Sequence, residues 1–184
     1  MEMTQNMNNI LHIDQSNGSI YNWIAQIQSV FSQYIHLRTQ LTMLDDHLRV
    51  SSEQFDKLPT QQNFYTVQNI WHQKFNLMQN ISNVVNHIVS NFTEATKIML
   101  TTMESSIEIG NKLSLTLSDN AIGSIYSLIE ENHSQLDIKE LYRQSCLMQN
   151  IPMKLNNIEI KIQMMRISLP NFDNLKRLIR GYKV

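Results

Sequence analysis

Apolar residues recur at alternating three- and four-residue steps along most of this chain, a spacing that places them on one face of an α-helix. The first stripe lies in SIYNWIAQIQSVFSQYIHLRTQLTMLDDHL, residues 19–48, and comprises Ile20, Trp23, Ile27, Val30, Tyr34, Leu37, Leu41, Leu44 and Leu48. A second stripe comprises Phe64, Val67, Trp71, Met78, Ile81, Val85, Ile88, Phe92, Ala95 and Met99. A third runs from Leu141 to Leu169. Each stripe predicts a long amphipathic helix.

Few residues can interrupt these helices. The 184 residues include only four Gly and three Pro, too few turn formers for the hairpins of a β-sandwich or barrel. Pro152 predicts either a kink or two separate helices. The other expected breaks are Asn17-Gly18, Pro59 with Thr60 as the next cap, Gly110 or residues 118–120, residues 133–135, and Pro170. The sequence therefore predicts an all-α fold, an elongated up-down helical bundle of three long helices with two or three short ones.

This layout also predicts the domain organisation. Residues 1–17 lack the apolar periodicity and are expected to form a loose N-terminal arm. Residues 18–170 are expected to form the helical bundle, with a shorter amphipathic piece from Ala121 to about Asn132. Residues 171–184 follow Pro170 and are expected to form a basic C-terminal helix.

The stripes could be covered by one another or by a second molecule. Three seams of comparable length within one chain can bury each other, so intramolecular bundling is the favoured interpretation. Ile24, Phe31, Ile35, Phe75, Leu77, Val84 and Val89 lie beside the narrow seams and widen the faces toward those of a bundle core. Self-association into a homo-oligomer remains the alternative.

The predicted solvent faces are rich in amides and poor in charge. Asn and Gln make up about a fifth of the chain, whereas Asp, Glu, Lys and Arg together make up 17%. Base composition of the genome could produce the same bias. The formal net charge of −1 argues against a general nucleic-acid binder. Charge is uneven, however, because the segment from Lys154 onward carries seven basic and two acidic residues.

No motif in the sequence indicates catalysis or cofactor binding. Cys146 is the single cysteine, so it has no partner for a disulfide or a zinc pair. The six histidines show no metal-ligand spacing, and the four glycines form no phosphate-binding loop. We therefore expect no catalytic, metal or cofactor-binding residues and a protein that is not an enzyme. No signal peptide or membrane span is visible either.

The C-terminal segment LKRLIRGYKV is the candidate binding site by charge. Its cations lie mostly on one side of a helix, opposite Leu175, Leu178, Ile179 and Tyr182, as in a helix that lies on a membrane surface or binds a partner. Cations near a C-terminus also complement the helix dipole. The candidate binding residues are Lys176, Arg177, Arg180, Lys183 and Tyr182.

A Gln-rich first rod, IAQIQSVFSQYIHLRTQL, is followed by the break LPTQQ and a second amide-rich rod. Over residues 15–110 this layout resembles the small helical minor-pilus, or pilus-tip, components of type IV secretion and conjugation systems. The resemblance implies a non-enzymatic, secreted virulence subunit in the periplasm or at the cell surface that contacts other subunits of the assembly or a host-cell receptor. Two alternatives stay open: a helical membrane-active toxin or translocator, and an intracellular coiled-coil adaptor in the cytoplasm.

Overall fold

The chain folds into helices and connecting turns, as the computed structural model shows for the backbone of residues 2–132 and 137–181 and the side chains of residues 21–132 and 137–181. Six helices lie in this described part, and no strand does. They are α1 (Glu2–Lys57), α2 (Gln61–Glu108), α3 (Lys112–Asn132), α4 (Ile138–Met148), α5 (Ile151–Met165) and α6 (Pro170–Arg180). The predicted all-α bundle class is confirmed.

The helices form two compact units. One unit is the helical hairpin Ser29–Ile88, made of the second half of α1 and the first half of α2. The other comprises Met1–Gln28 and Val89–Val184, and therefore contains α3 to α6. Both long helices contribute to both units. Within the second unit, α6 packs against α3, α4 and α5.

The turn of the hairpin forms where the sequence predicts it. Pro59 lacks a backbone N–H and cannot continue a helix, and α1 ends at Lys57. Thr60 then caps α2, because its hydroxyl oxygen accepts a hydrogen bond from the backbone N–H of Asn63 at 3.2 Å. The predicted break and the predicted cap are both confirmed.

Gly110 ends the second long helix. Its φ of +67° lies in the left-handed region, which glycine adopts without a Cβ penalty. The Gly110 N–H donates to the Ile107 carbonyl and the Asn111 N–H to the Ser106 carbonyl, the bonding pattern of a Schellman motif. Helix α3 therefore begins at Lys112, earlier than the predicted Ala121, and the alternative break at residues 118–120 lies inside a helix.

The predicted loose arm at residues 1–17 is wrong. Helix α1 is continuous from Glu2, and Asn17 and Gly18 lie within it. A glycine inside a helix costs only about 1 kcal/mol relative to alanine. Because helix elongation is cooperative, a single glycine next to a long helix does not prevent the helix from continuing through it.

The third apolar stripe forms two shorter helices, α4 and α5, and not one long helix. Pro152 explains the first break, since a proline ring clashes with the carbonyl four residues earlier, and α4 ends at that residue, Met148. Asn150 between them has φ +58°, a left-handed conformation that Asn tolerates. Of the two outcomes predicted at Pro152, a kink or two separate helices, the structure confirms two separate helices. The predicted break at residues 133–135 lies outside the described residues.

Pro170 acts in the same way on the next connection. Arg166, four residues before it, has φ +55° and terminates α5, and Pro170 becomes the first residue of α6. The chain thus has two very long helices and four shorter ones in its described part, where the sequence predicts three long helices.

A carboxylate on α3 caps the start of α6. Asp119 is buried, and its Oδ1 accepts a hydrogen bond from the Phe172 N–H at 2.8 Å. Its Oδ2 accepts another from the Asn171 side-chain amide at 3.3 Å. The residue at the local cap position is Leu169, which has no side-chain acceptor, so Asp119 replaces a local cap from 50 residues away.

Close packing of α3 on α6 depends on Gly123. The Asn171 side chain lies against this glycine so closely that a Cβ there would stand 2.7 Å from Asn171 Nδ2. Burial of one side of α6 accompanies this approach: Phe172, Leu175 and Ile179 are all nearly inaccessible to solvent. Helix α6 is therefore an integral part of its unit.

Candidate interaction surfaces

The apolar side of α6 is turned into the protein. Phe172, Leu175 and Ile179 are buried, and α6 packs on three other helices. The sequence pattern predicts that Leu175 and Ile179 lie on the apolar face of a membrane-surface or partner-binding helix. In the folded unit these two residues are part of the core, so the face available to a ligand is the polar one.

Two of the predicted binding cations hold α6 to α5. Lys176 Nζ lies 2.8 Å from Glu159 Oε1 and 3.0 Å from Asp173 Oδ1. Arg180 bonds to the other oxygen of Glu159 and, at 2.6 Å, to Asn156 Oδ1. These bonds, first from Arg180 and then from Lys176, lower the pKa of Glu159 to about 2.

Arg177 is the predicted binding residue that has no ion-pair partner among the described residues. It is exposed and lines a pocket of about 310 Å³ between α3, α4 and α6. The pocket also contains Lys139 and Arg143, but these are paired with Glu130 and Glu140. Because its charges are balanced, the pocket is not a selective anion site. Lys183 and Tyr182 lie outside the described residues, and the binding role of the set stays a prediction.

The buried polar cluster of this unit contains the single cysteine. Burial raises the pKa of Cys146 to about 12, so the thiol is protonated at neutral pH and is not an activated nucleophile. Beside it the Tyr142 hydroxyl is bonded to Thr96 Oγ1, and the Tyr142 ring makes an edge contact with Phe92 at 6.2 Å between centroids. Across the described ranges, 2–132 and 137–181, no group of three His, Cys, Asp or Glu side chains is placed to hold a metal ion.

The hairpin Ser29–Ile88 exposes the more distinctive surface. Phe64, Trp71, Phe75 and Met78 share one flank of α2 and are 49%, 53%, 59% and 50% exposed. We call these four residues the apolar stripe. It is about 21 Å long, since 14 residues separate its ends. Isolated exposed apolar residues are ordinary on a soluble protein, whereas an aligned set of aromatic residues indicates an interaction site.

The part of α2 that carries the apolar stripe has little charge. Between Gln61 and Phe92 the charged residues number one, Lys74. Its ammonium group lies 2.7 Å from Asp45 on the facing helix and 5.3 Å from the centroid of the Trp71 ring. Exposed glutamines, Gln68 and Gln79, flank the stripe. The surface therefore combines aromatic and amide groups.

The apolar spacing of these four residues predicts that they are buried in the core, and for them that prediction is wrong. Phe64, Trp71 and Met78 follow the helical period of the buried Ile88 and Phe92, so they looked like one seam. Inside the hairpin, however, Leu77 is the residue of this region that is buried, on a different side of α2. A single facing helix covers only one side of α2. A comparison of the number of apolar sides on α2 with the number of helices available to cover them would have predicted that the apolar stripe is exposed.

Comparison of the chain with protein-family models, with curated proteins and with solved structures finds no match. None of the helices, over the residues described, has a stretch long and apolar enough to cross a membrane.

Proposed function

We propose that this protein is a non-enzymatic interaction protein that binds a helical segment of another polypeptide through the apolar stripe of its hairpin. The single observation that carries the proposal is the half-exposed, aligned set Phe64, Trp71, Phe75 and Met78. Aromatic residues supply most of the energy of protein interfaces when they enter a water-excluded contact. An amphipathic helix laid along the stripe would offer such a contact over several turns.

A photo-crosslinking amino acid tests this function in the native cells. Benzoylphenylalanine replaces Phe75 in one variant and Leu113 in a control variant. Leu113 is a matched control because it is exposed and apolar but lies on α3, which is not part of the hairpin. Discrete adducts from position 75 and none from position 113 are expected. Adducts from neither position, or equal adducts from both, would contradict the proposal.

Within this class, we propose that the protein is a surface-exposed subunit of a bacterial secretion or conjugation apparatus. The support is the amide-rich, weakly charged character of both long helices and the resemblance to minor-pilus components. Cell fractionation tests the assignment, and recovery with the envelope or at the cell surface is the expected result. Recovery from the cytosol alone would instead favour an intracellular coiled-coil adaptor.

A further inference from the structure

The residues of the apolar stripe are spaced symmetrically. Phe64 and Met78 each lie seven residues from Trp71, two helical turns on either side. Two such stripes pairing in antiparallel directions about Trp71 would place Phe64 of each copy opposite Met78 of the other. We propose that the stripe binds the same stripe of a second copy of this chain, forming a two-fold symmetric dimer with Trp71 near its axis. The inference rests on the proposed function and specifies its partner.

The polar groups beside the stripe are compatible with self-pairing. In a two-fold interface each group faces its own kind or a nearby group of the same surface, so a charged flank would repel itself. Gln68 and Gln79 avoid this problem because an amide both donates and accepts hydrogen bonds. Lys74 is already neutralised locally by Asp45. Elsewhere between Gln61 and Phe92 no residue is charged, so this part of α2 itself offers no charge by which a charged partner would be selected.

The exposed area is consistent with a weak dimer. An aromatic side chain buries roughly 150–250 Å², so four half-exposed residues offer about 400 Å² per copy. Two copies would bury about 800 Å² of this apolar surface, and the flanking amides would bring the total toward the roughly 1,200 Å² at the lower end of specific interfaces. We therefore expect a dissociation constant in the micromolar range.

Sedimentation equilibrium of the full chain tests the dimer. The wild type is expected to pass from monomer to dimer across the micromolar range. A Trp71→Ser/Phe75→Ser variant is expected to dimerise at least about thirtyfold more weakly, because both anchors are removed. A Leu113→Ser/Met164→Ser variant is the matched control, since both residues are more exposed than those of the stripe but lie outside the hairpin, and its dimerisation should be unchanged.

Fluorescence of Trp71 provides a second measurement that leaves the stripe intact. In a Trp23→Phe background the emission of Trp71 should shift to shorter wavelength as concentration rises and the indole leaves water. Circular dichroism checks that every variant keeps its helical content. A chain that stays monomeric, or a stripe variant that dimerises as well as the control, would overturn the inference.

The crosslinking experiment separates this inference from the proposed function. An adduct from position 75 with twice the mass of the chain supports the dimer. A purified chain that is monomeric, together with adducts to a different protein, overturns the dimer while the proposed function stands. A monomeric chain with no adduct at position 75 refutes both.

Discussion

The cap that Asp119 provides to α6 can be tested by comparing two substitutions. Asp119→Ala removes the acceptor of the Phe172 N–H and that of the Asn171 amide. Because the Phe172 N–H is buried, the loss leaves an unsatisfied donor as well as an uncapped helix, and we expect the unfolding free energy to fall by about 2 kcal/mol. Asp119→Asn keeps an oxygen in the same place and should cost less than about 1 kcal/mol.

The charge of Asp119 gives this comparison a pH dependence. Burial raises the pKa of Asp119 above its ordinary value of 3.8, against the opposing effect of the hydrogen bonds from Phe172 and Asn171. The folded state therefore holds this proton more tightly than the unfolded state does. The resulting stabilisation is fully present below pH 3.8 and is lost as the pH rises through the folded-state pKa. Asp119→Asn should remove this pH-dependent contribution to stability. The free energies of unfolding of this variant and the wild type are therefore best compared near neutral pH.

Hydrogen exchange measures the effect where it arises. A loss of about 2 kcal/mol in the local opening free energy corresponds to roughly thirtyfold faster exchange of the protected amides of α6. The hairpin serves as the internal control, because its amides should exchange at the wild-type rate in both variants. Urea unfolding followed by circular dichroism gives the global stability of each variant.

Either of two results would exclude hydrogen-bond capping of α6 by Asp119. Exchange of α6 in Asp119→Ala at the wild-type rate would mean that Asp119 does not cap the helix. Equal destabilisation by the Ala and Asn variants would mean that the negative charge, and not the hydrogen-bond geometry, holds α6 in place.

Three further predictions concern the same unit. The folded-state pKa of Glu159 is about 2, against an ordinary 4.5, so the stabilisation from its ion pairs is present above pH 4.5 and is lost as the pH falls toward 2. Glu159→Gln should therefore flatten this part of the pH–stability curve. Because the Glu159–Arg180 pair is partly exposed, the expected effect is about 1 kcal/mol, measured by urea unfolding. Gly123→Ala should stabilise an Asn171→Ala background by about 0.5–1 kcal/mol through helix propensity, but not the wild type, where the new Cβ would collide with Asn171; equal gains in both thermal melts would contradict the close contact. Cys146 should resist an aromatic disulfide reagent at pH 8 in the native protein and react fully after denaturation, since its pKa is about 12 and its side chain is buried; a fast native reaction would disprove this burial.

The helical class and most helix ends could be predicted because their causes are local. Pro59, Pro152 and Pro170 each remove a backbone donor and clash with the preceding turn, whatever surrounds them. Gly110 supplies a left-handed residue at the end of α2 in the same local way. The prediction of a loose arm fails because a segment without an apolar period can still be helical when it continues a long helix.

The candidate sites were harder to predict because exposure and pairing are not local properties. Lys176 and Arg180 form a basic patch in the sequence, but Glu159, on another helix, forms an ion pair with each of them. Trp71 and Ile88 follow one helical period, yet the first is half exposed and the second is buried. Apolar periodicity in a sequence indicates which residues share a side of a helix, but it does not indicate whether another helix covers that side.

The sequence by itself determined that this protein is helical and where most of its helices stop, because backbone hydrogen bonding and proline and glycine geometry act within a few residues. Only the tertiary structure decided which apolar residues face water and which carboxylate caps α6. Asp119 could cap that helix only after α3 and α6 had packed together, and the flank of Trp71 stayed exposed because its hairpin contains one facing helix.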